Sequence, residues 1–107
     1  MTAFFVYITA SDASEATRIG RTLVEDRLAA CANVINGMTS IYRWQDEICE
    51  DAEAVLIAKT TGDKVAALTA RVKALHSYDC PCIAALPIKD GNPAFLSWIE
   101  EQTQSED

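Results

Sequence analysis

Apolar positions along the chain change period several times, and each change marks an element. Residues 3–9, Ala-Phe-Phe-Val-Tyr-Ile-Thr, are aromatic and β-branched with no polar alternation. Such a run predicts a central strand buried on both faces. Ser11, Asp12 and Ser14 then offer N-caps. After them Ala16, Ile19, Gly20, Leu23, Val24 and Leu28 recur every three or four residues, which predicts an amphipathic helix over 13–28. Glu15 suits the positive end of its dipole. Residues 31–44 predict a long second strand, with Asn36-Gly37 marking a bulge within it. The polar stretch Gln45-Asp46-Glu47 turns the chain into a third strand over 48–60, so the two form a β-hairpin.

Gly62-Asp63 opens a second helix over 63–75, with Val65, Leu68, Val72 and Leu75 on one face. Residues 80–88 predict a short fourth strand, and Pro81 puts its start at an edge, because proline donates no ladder bond. Asn92-Pro93 is an N-cap followed by proline at the first helical position, opening a last helix through Phe95, Leu96, Trp98 and Ile99. Gln102–Asp107 is an acidic tail expected to fray.

The order βαββαβ plus a terminal helix is the α+β, ferredoxin-like arrangement: an antiparallel four-stranded sheet with two crossover helices on one face. Residues 1–107 are read as one domain, with neither linker nor repeat. The hairpin strands are longer than a sheet this small needs, and one sheet face is left without helices. Both features predict self-association, since a long edge must be paired or blunted.

Charge narrows the function. Nine Lys and Arg against 16 Asp and Glu leave a net charge of −7. That argues against a nucleic-acid partner, which needs a basic footprint, and against docking on an anionic membrane. The N-terminal run lacks a positive n-region and Asp12 cuts it short. The expected compartment is therefore the cytoplasm, with Cys31, Cys49, Cys80 and Cys82 as reduced thiols. No Cys-x-x-Cys is present and His76 is the only histidine, so the spacing fits no zinc site. Neither a metallochaperone with Cys-x-x-Cys in its first loop nor an acylphosphatase with an Arg cradle there matches Ser11-Asp12-Ala13-Ser14. No nucleophile–base pair suggests itself, and the chain is not read as an enzyme.

Longer stretches carry a resemblance. Leu28-Ala29-Ala30-Cys31-Ala32-Asn33-Val34 followed by Ser40-Ile41-Tyr42-Arg43-Trp44-Gln45, then Ile57-Ala58-Lys59-Thr60, Leu75-His76-Ser77-Tyr78-Asp79-Cys80-Pro81, Ile83–Ile88 and Gly91-Asn92-Pro93 with Leu96-Ser97-Trp98-Ile99 resemble the CutA (divalent-cation tolerance) family. The resemblance implies a ferredoxin-like fold, a tight homotrimer, a cytoplasmic setting and a link to copper and other divalent cations. It implies neither a reaction nor a required cofactor. Some members have copper ligands attributed to a second His just before the first and to a Cys on the first strand. Here those positions are Leu75 and Ile8, so that ligand set is not intact. Ser77 stands where the family pattern has proline, which leaves the following turn less fixed. Cys82 stands where the family more often has Glu.

Candidate metal ligands are therefore His76, Cys80, Cys82 and Cys31. His76 is read either as a helix C-cap or packed ring, or as a ligand. Cys31 reads as a small buried hydrophobe or a thiol donor. Cys80 and Cys82, two apart on a strand, would share a face and could offer paired thiolates to soft Cu(I); the alternative is two inert thiols. Candidate cleft residues are Tyr42, Trp44, Lys59, Tyr78 and Trp98. The aromatics are the type enriched at interfaces. Arg43 and Lys59 are cations on apolar strands, either paired with a carboxylate or facing an anion in an inter-subunit cleft. Two functions follow: a trimeric protein of cation tolerance, or a small-molecule-binding signalling module like the trimeric PII proteins, using inter-subunit clefts.

Overall fold

The computed structural model describes residues 1–104. Ala3–Ala10 form β1, with Val6, Ile8 and Ala10 fully buried. Helix α1 (Ala13–Glu25) starts on Asp12, whose side chain accepts from the Glu15 amide at 2.8 Å. It stops three residues before the expected end, because Arg27 takes a left-handed φ of 58° and the Leu28 and Ala29 amides fold back onto the Leu23 carbonyl. Strand β2 (Cys31–Trp44) and strand β3 (Glu47–Thr61) flank a two-residue turn, Gln45–Asp46, with φ of 49° and 63°. Positive φ at both positions matches the right-handed twist of a hairpin. A single 3-10 turn at Gly62–Lys64 leads into α2 (Val65–Leu75), and β4 (Ile83–Pro87) and α3 (Pro93–Gln102) complete the chain. Asn92 caps α3 by accepting from the Ala94 amide at 3.1 Å, with Pro93 behind it as expected.

All pairs in the sheet are antiparallel and the order is β2-β3-β1-β4. That is the α+β, ferredoxin-like arrangement with an added C-terminal helix. Even-numbered residues of β1 face the helices: Val6 and Ile8 pack with Leu56, Ala58, Ile19, Leu23, Leu68 and Val72 in the main core. Gly20 lets α1 lie close on the sheet; a Cβ there would sit 3.0 Å from Leu56 Cδ1 and 3.2 Å from Ala32 Cβ.

The other face carries Phe5, Tyr7 and Thr9 of β1 beside Val55, Ile57 and Lys59 of β3. Only its end is covered, by α3, where Ile99 packs with Ala3 and Ala30. Strand β1 is central, but its second face is only partly buried at Phe5 and Tyr7. The expectation of burial on both faces fails there because no helix covers the middle of that face.

Three further expectations change. Cys80-Pro81-Cys82 precedes β4 rather than belonging to it, since Pro81 cannot donate to the ladder. No strand face therefore places the Cys80 and Cys82 thiols side by side. The expected fraying does not extend to Gln102 and Thr103: Gln102 ends α3, while Thr103 is buried and donates to the Ile99 carbonyl at 3.0 Å. Residues 105–107 of that tail lie outside the described residues.

The hairpin breaks register once, between Ile35 and Met38, where Gly37 has a φ of 82°. The bulge falls where Asn36-Gly37 placed it. Beyond it the strands continue as an arm from Met38 to Glu53. The described chain measures 47 × 27 × 22 Å with a radius of gyration of 14.4 Å. A compact chain of this length would have about 13 Å, and the arm accounts for the elongation.

Candidate functional site

The register of the arm decides which side chains share a face. Opposite residues point the same way in an antiparallel pair. Met38 faces Glu53, Ser40 faces Asp51, Tyr42 faces Cys49 and Trp44 faces Glu47. This side of the arm, the uncovered end of β1 and the loop between α2 and β4 enclose a cleft of about 690 Å³. Tyr7 and Thr9 form its floor, Met38, Tyr42, Trp44, Asp51 and Glu53 one wall, and Tyr78, Asp79, Cys80 and Cys82 the other.

Two phenol–carboxylate bonds organise it. Tyr42 donates to Asp51 Oδ2 along the diagonal of the arm. That bond, with some desolvation, pushes the Tyr42 phenol up to about 12. Tyr78 reaches across and donates to Glu53 Oε2 at 2.7 Å. Burial and the Glu53 bond push the Tyr78 phenol well above its ordinary value. Tyr7 donates more weakly to Met38 Sδ at 3.5 Å. The described lining holds three carboxylates, Asp51, Glu53 and Asp79, and neither Lys nor Arg.

The far wall is held from beneath by Glu15. Its Oε1 accepts from the Ser11 amide and hydroxyl, each at 3.0 Å, and its Oε2 from the Ser77 amide at 2.9 Å. Burial alone would raise this carboxyl, but the bonds from Ser11 and Ser77 outweigh it and hold it at about 2. Arg18 adds an ion pair at 3.7 Å. The expected loosening of the turn at Ser77 is thus corrected. A proline there has no amide hydrogen, whereas Ser77 donates one to a buried carboxylate.

His76 lies just past α2, where its amide caps the Val72 carbonyl at 2.9 Å. Its ring is engaged on both sides. Nε2 donates to the Thr9 carbonyl at 2.7 Å, and Nδ1 accepts from the Tyr78 amide at 3.1 Å. Its ring centroid is 4.7 Å from that of Tyr78. Both ring nitrogens are thus hydrogen-bonded, the arrangement of a packed ring, and a metal would have to displace one of these bonds.

The other candidates divide. Cys80 and Cys82 are exposed and both line the cleft. Cys31 is half-buried opposite Lys59 at the far end of the hairpin, away from that lining. Lys59 donates to Asn33 Oδ1, not to a carboxylate, and lies outside the cleft. Arg43 sits opposite Ile48 on the other side of the arm. Tyr42, Trp44 and Tyr78 line the cleft, whereas Trp98 stacks on Phe95 of α3 at 5.6 Å, away from it. Among the described residues no group of three or more His, Cys, Asp or Glu is placed to hold a metal ion together.

Sequence reasoning missed Tyr7, Asp51, Glu53 and Glu15. Asp51 and Glu53 become legible once the turn is fixed at Gln45–Asp46, since residues flank it symmetrically. Tyr7 carries a weaker signal, as an odd-numbered residue of β1 on the face without helices. Glu15 has a signal too: Asp12 and Glu15 have capping-box spacing, although the carboxylate serves Ser11 and Ser77.

Comparison with known proteins places the chain. The model of the CutA1 divalent ion tolerance protein family matches residues 4–102. The divalent-cation tolerance protein CutA of Thermus thermophilus is 51% identical over 98 residues, covering 92% of this chain and 95% of that one. A crystal structure of CutA1 from Oryza sativa superposes with a TM-score of 0.95 at 38% identity, covering 99% and 97% of the two chains. A structure of the divalent cation tolerance protein from Thermus thermophilus gives 0.93 at 49% identity, covering 95% and 99%. The chain spans 56% of the length of the chloroplastic rice relative and of the mouse relative. The chain belongs to the CutA1 divalent ion tolerance family. Among its described residues no helix is long and apolar enough to cross a membrane.

Proposed function

We propose that this protein is a non-enzymatic, trimeric protein of divalent-cation tolerance whose cleft takes copper, as Cu(I), on the thiols of Cys80 and Cys82. Family membership supports the tolerance role. The observation that carries the metal reading is the placement of two exposed thiols on the wall of a cleft rich in carboxylates and without a basic residue in its described lining. Soft thiolates select Cu(I) over Mg, and a negative cleft draws cations in. His76 and Cys31 are not part of this set. Divalent cations would meet Asp51, Glu53 and Asp79 instead, in competition with the phenols of Tyr42 and Tyr78.

Self-association supplies the setting. Ile35, Ile41, Ile48, Trp44 and Leu86 are all exposed, Ile41 by 69% and Ile48 by 65%. Two free strand edges, β2 and β4, flank the sheet. A threefold assembly would bury both kinds of surface. The proposed compartment is the cytoplasm, where the four thiols stay reduced. A signalling module for organic anions has less support, because Lys59 and Arg43 both lie outside the cleft.

Calorimetric titration of the reduced protein tests the metal reading. Cu(I) is expected to saturate at a fixed ratio per protomer, with no matching heat from Mg. Absence of saturable heat from any metal would contradict it.

A further inference from the structure

We infer that Glu15 is a positioning residue for the two thiols: its carboxylate fixes the loop between α2 and β4 and so sets where Cys80 stands relative to Cys82. The consequence for copper rests on the Cu(I) reading above. The brace itself rests on contacts made within one protomer by groups buried or half-buried there.

One residue holds both ends of the loop. Thr9 is buried near the end of β1; its carbonyl accepts from His76 Nε2 at 2.7 Å and its amide donates to the Cys82 carbonyl at 3.4 Å. Residues 76–82 therefore start and finish on the same stretch of β1. Glu15 holds the chain between. It is only 6% exposed, and its Oε2 accepts from the Ser77 amide while its Oε1 accepts from the Ser11 amide and hydroxyl. Ser11 follows β1 directly, so one carboxylate ties the end of that strand to the start of the loop. Bonds to an ionised acceptor are about twice as strong as neutral ones.

The hold reaches Cys80 through its neighbours. The Tyr78 amide donates to His76 Nδ1 at 3.1 Å, which fixes the residue after Ser77. Pro81 locks its own φ and keeps Cys80 out of the helical region. With Ser77, Tyr78 and Cys82 anchored, little freedom remains for the Cys80 thiol. A pair of thiolates ordered before the metal arrives loses less entropy on binding it. Release of Ser77 would free the Cys80 side of the loop and leave Cys82 on Thr9.

Glu15→Gln tests this, because it keeps the shape and removes one of the two acceptor atoms. Glu15→Ala removes both and should act further in the same direction. Backbone NMR order parameters come first, on metal-free, reduced protein. Residues 77–80 are expected near about 0.85 in the parent and below about 0.6 in the variants, with Val6 and Ile8 unchanged. A loss of stability alone would not move these native-state values. Competition against a Cu(I) chelator comes second. Glu15→Gln should weaken Cu(I) binding about 10- to 100-fold, the range for residues that orient a metal's ligands. Order parameters unchanged in both variants would overturn the brace. A loosened loop with unchanged Cu(I) affinity would overturn the positioning of the thiols. A parent that takes no Cu(I) would instead sink the copper reading, a failure told apart from that of the brace by the metal-free measurement.

Discussion

Tyr78 donates its phenol proton to Glu53 at 2.7 Å and so ties the loop after α2 to the arm of the hairpin. The two residues are 25 positions apart and belong to different walls of one cleft. The bond closes a chain of contacts that starts in the core. Glu15 holds the Ser77 amide, Ser77 precedes Tyr78, and His76 holds the Tyr78 amide. A buried carboxylate on α1 thereby sets the position of the residues that carry Cys80 and Cys82.

Glu15 is therefore expected to matter for stability. Its folded value of about 2 lies below the ordinary 4.5. The stabilisation is fully present above pH 4.5 and is lost as the pH falls through about 2. Glu15→Gln should cost about 1–3 kcal/mol at pH 7, the worth of charged hydrogen bonds left poorly satisfied. Urea unfolding at pH 7 and at low pH checks this: the gap between parent and variant should narrow as the acid limb is reached. An equal gap at both would assign the loss to packing.

Tyr42 offers a spectroscopic handle. Its phenol is pushed up to about 12 by the bond to Asp51. A group whose folded value is raised contributes stability below its ordinary value of 10, lost as the pH rises through about 12. Absorbance at the phenolate band should show a late alkaline transition that Tyr42→Phe removes and Asp51→Asn moves down toward 10. A transition unmoved by Asp51→Asn would sever the pair.

Assembly is checked by sedimentation equilibrium. At low micromolar concentration the mass should be three times the protomer's 11.7 kDa. The melting temperature should rise with protein concentration, because association is linked to folding. Ile35→Glu, on the uncovered face and 53% exposed in the protomer, should shift the mass toward the monomer without loss of secondary structure. A monomeric parent would contradict the assembly.

The elements were legible wherever one local rule governed them. Runs of β-branched and aromatic residues marked β1 to β3, Asn36-Gly37 marked the bulge, and Asn92-Pro93 marked the start of α3. Legibility stopped where capping geometry, not periodicity, decided an element's end. Helix α1 ends early as Arg27 turns left-handed and the Leu28 and Ala29 amides bond back to the Leu23 carbonyl, and Thr103 is held as the C-cap of α3 by its bond to the Ile99 carbonyl. Pro81 signalled an irregular start, yet the run of apolar residues around it drew Cys80 and Cys82 into the strand. At the site, Tyr42, Trp44 and Tyr78 could be picked by residue type. Trp98 shares that type and Lys59 had its own reason, but both face elsewhere, and only the fold separates them from the lining. His76 stands out by type as the only histidine; its bond to the Tyr78 amide is local, but its bond to the Thr9 carbonyl joins residues 67 positions apart.

A competition titration decides whether Cys80 and Cys82 hold Cu(I) in this cleft. The reduced parent and the Cys80→Ser, Cys82→Ser double variant are each titrated against a coloured Cu(I) chelator. The parent is expected to withdraw Cu(I) from the chelator and the double variant to leave it bound, with both proteins at the same sedimentation mass. If the double variant competes as well as the parent, or the parent fails to compete, the thiol pair is not the copper site.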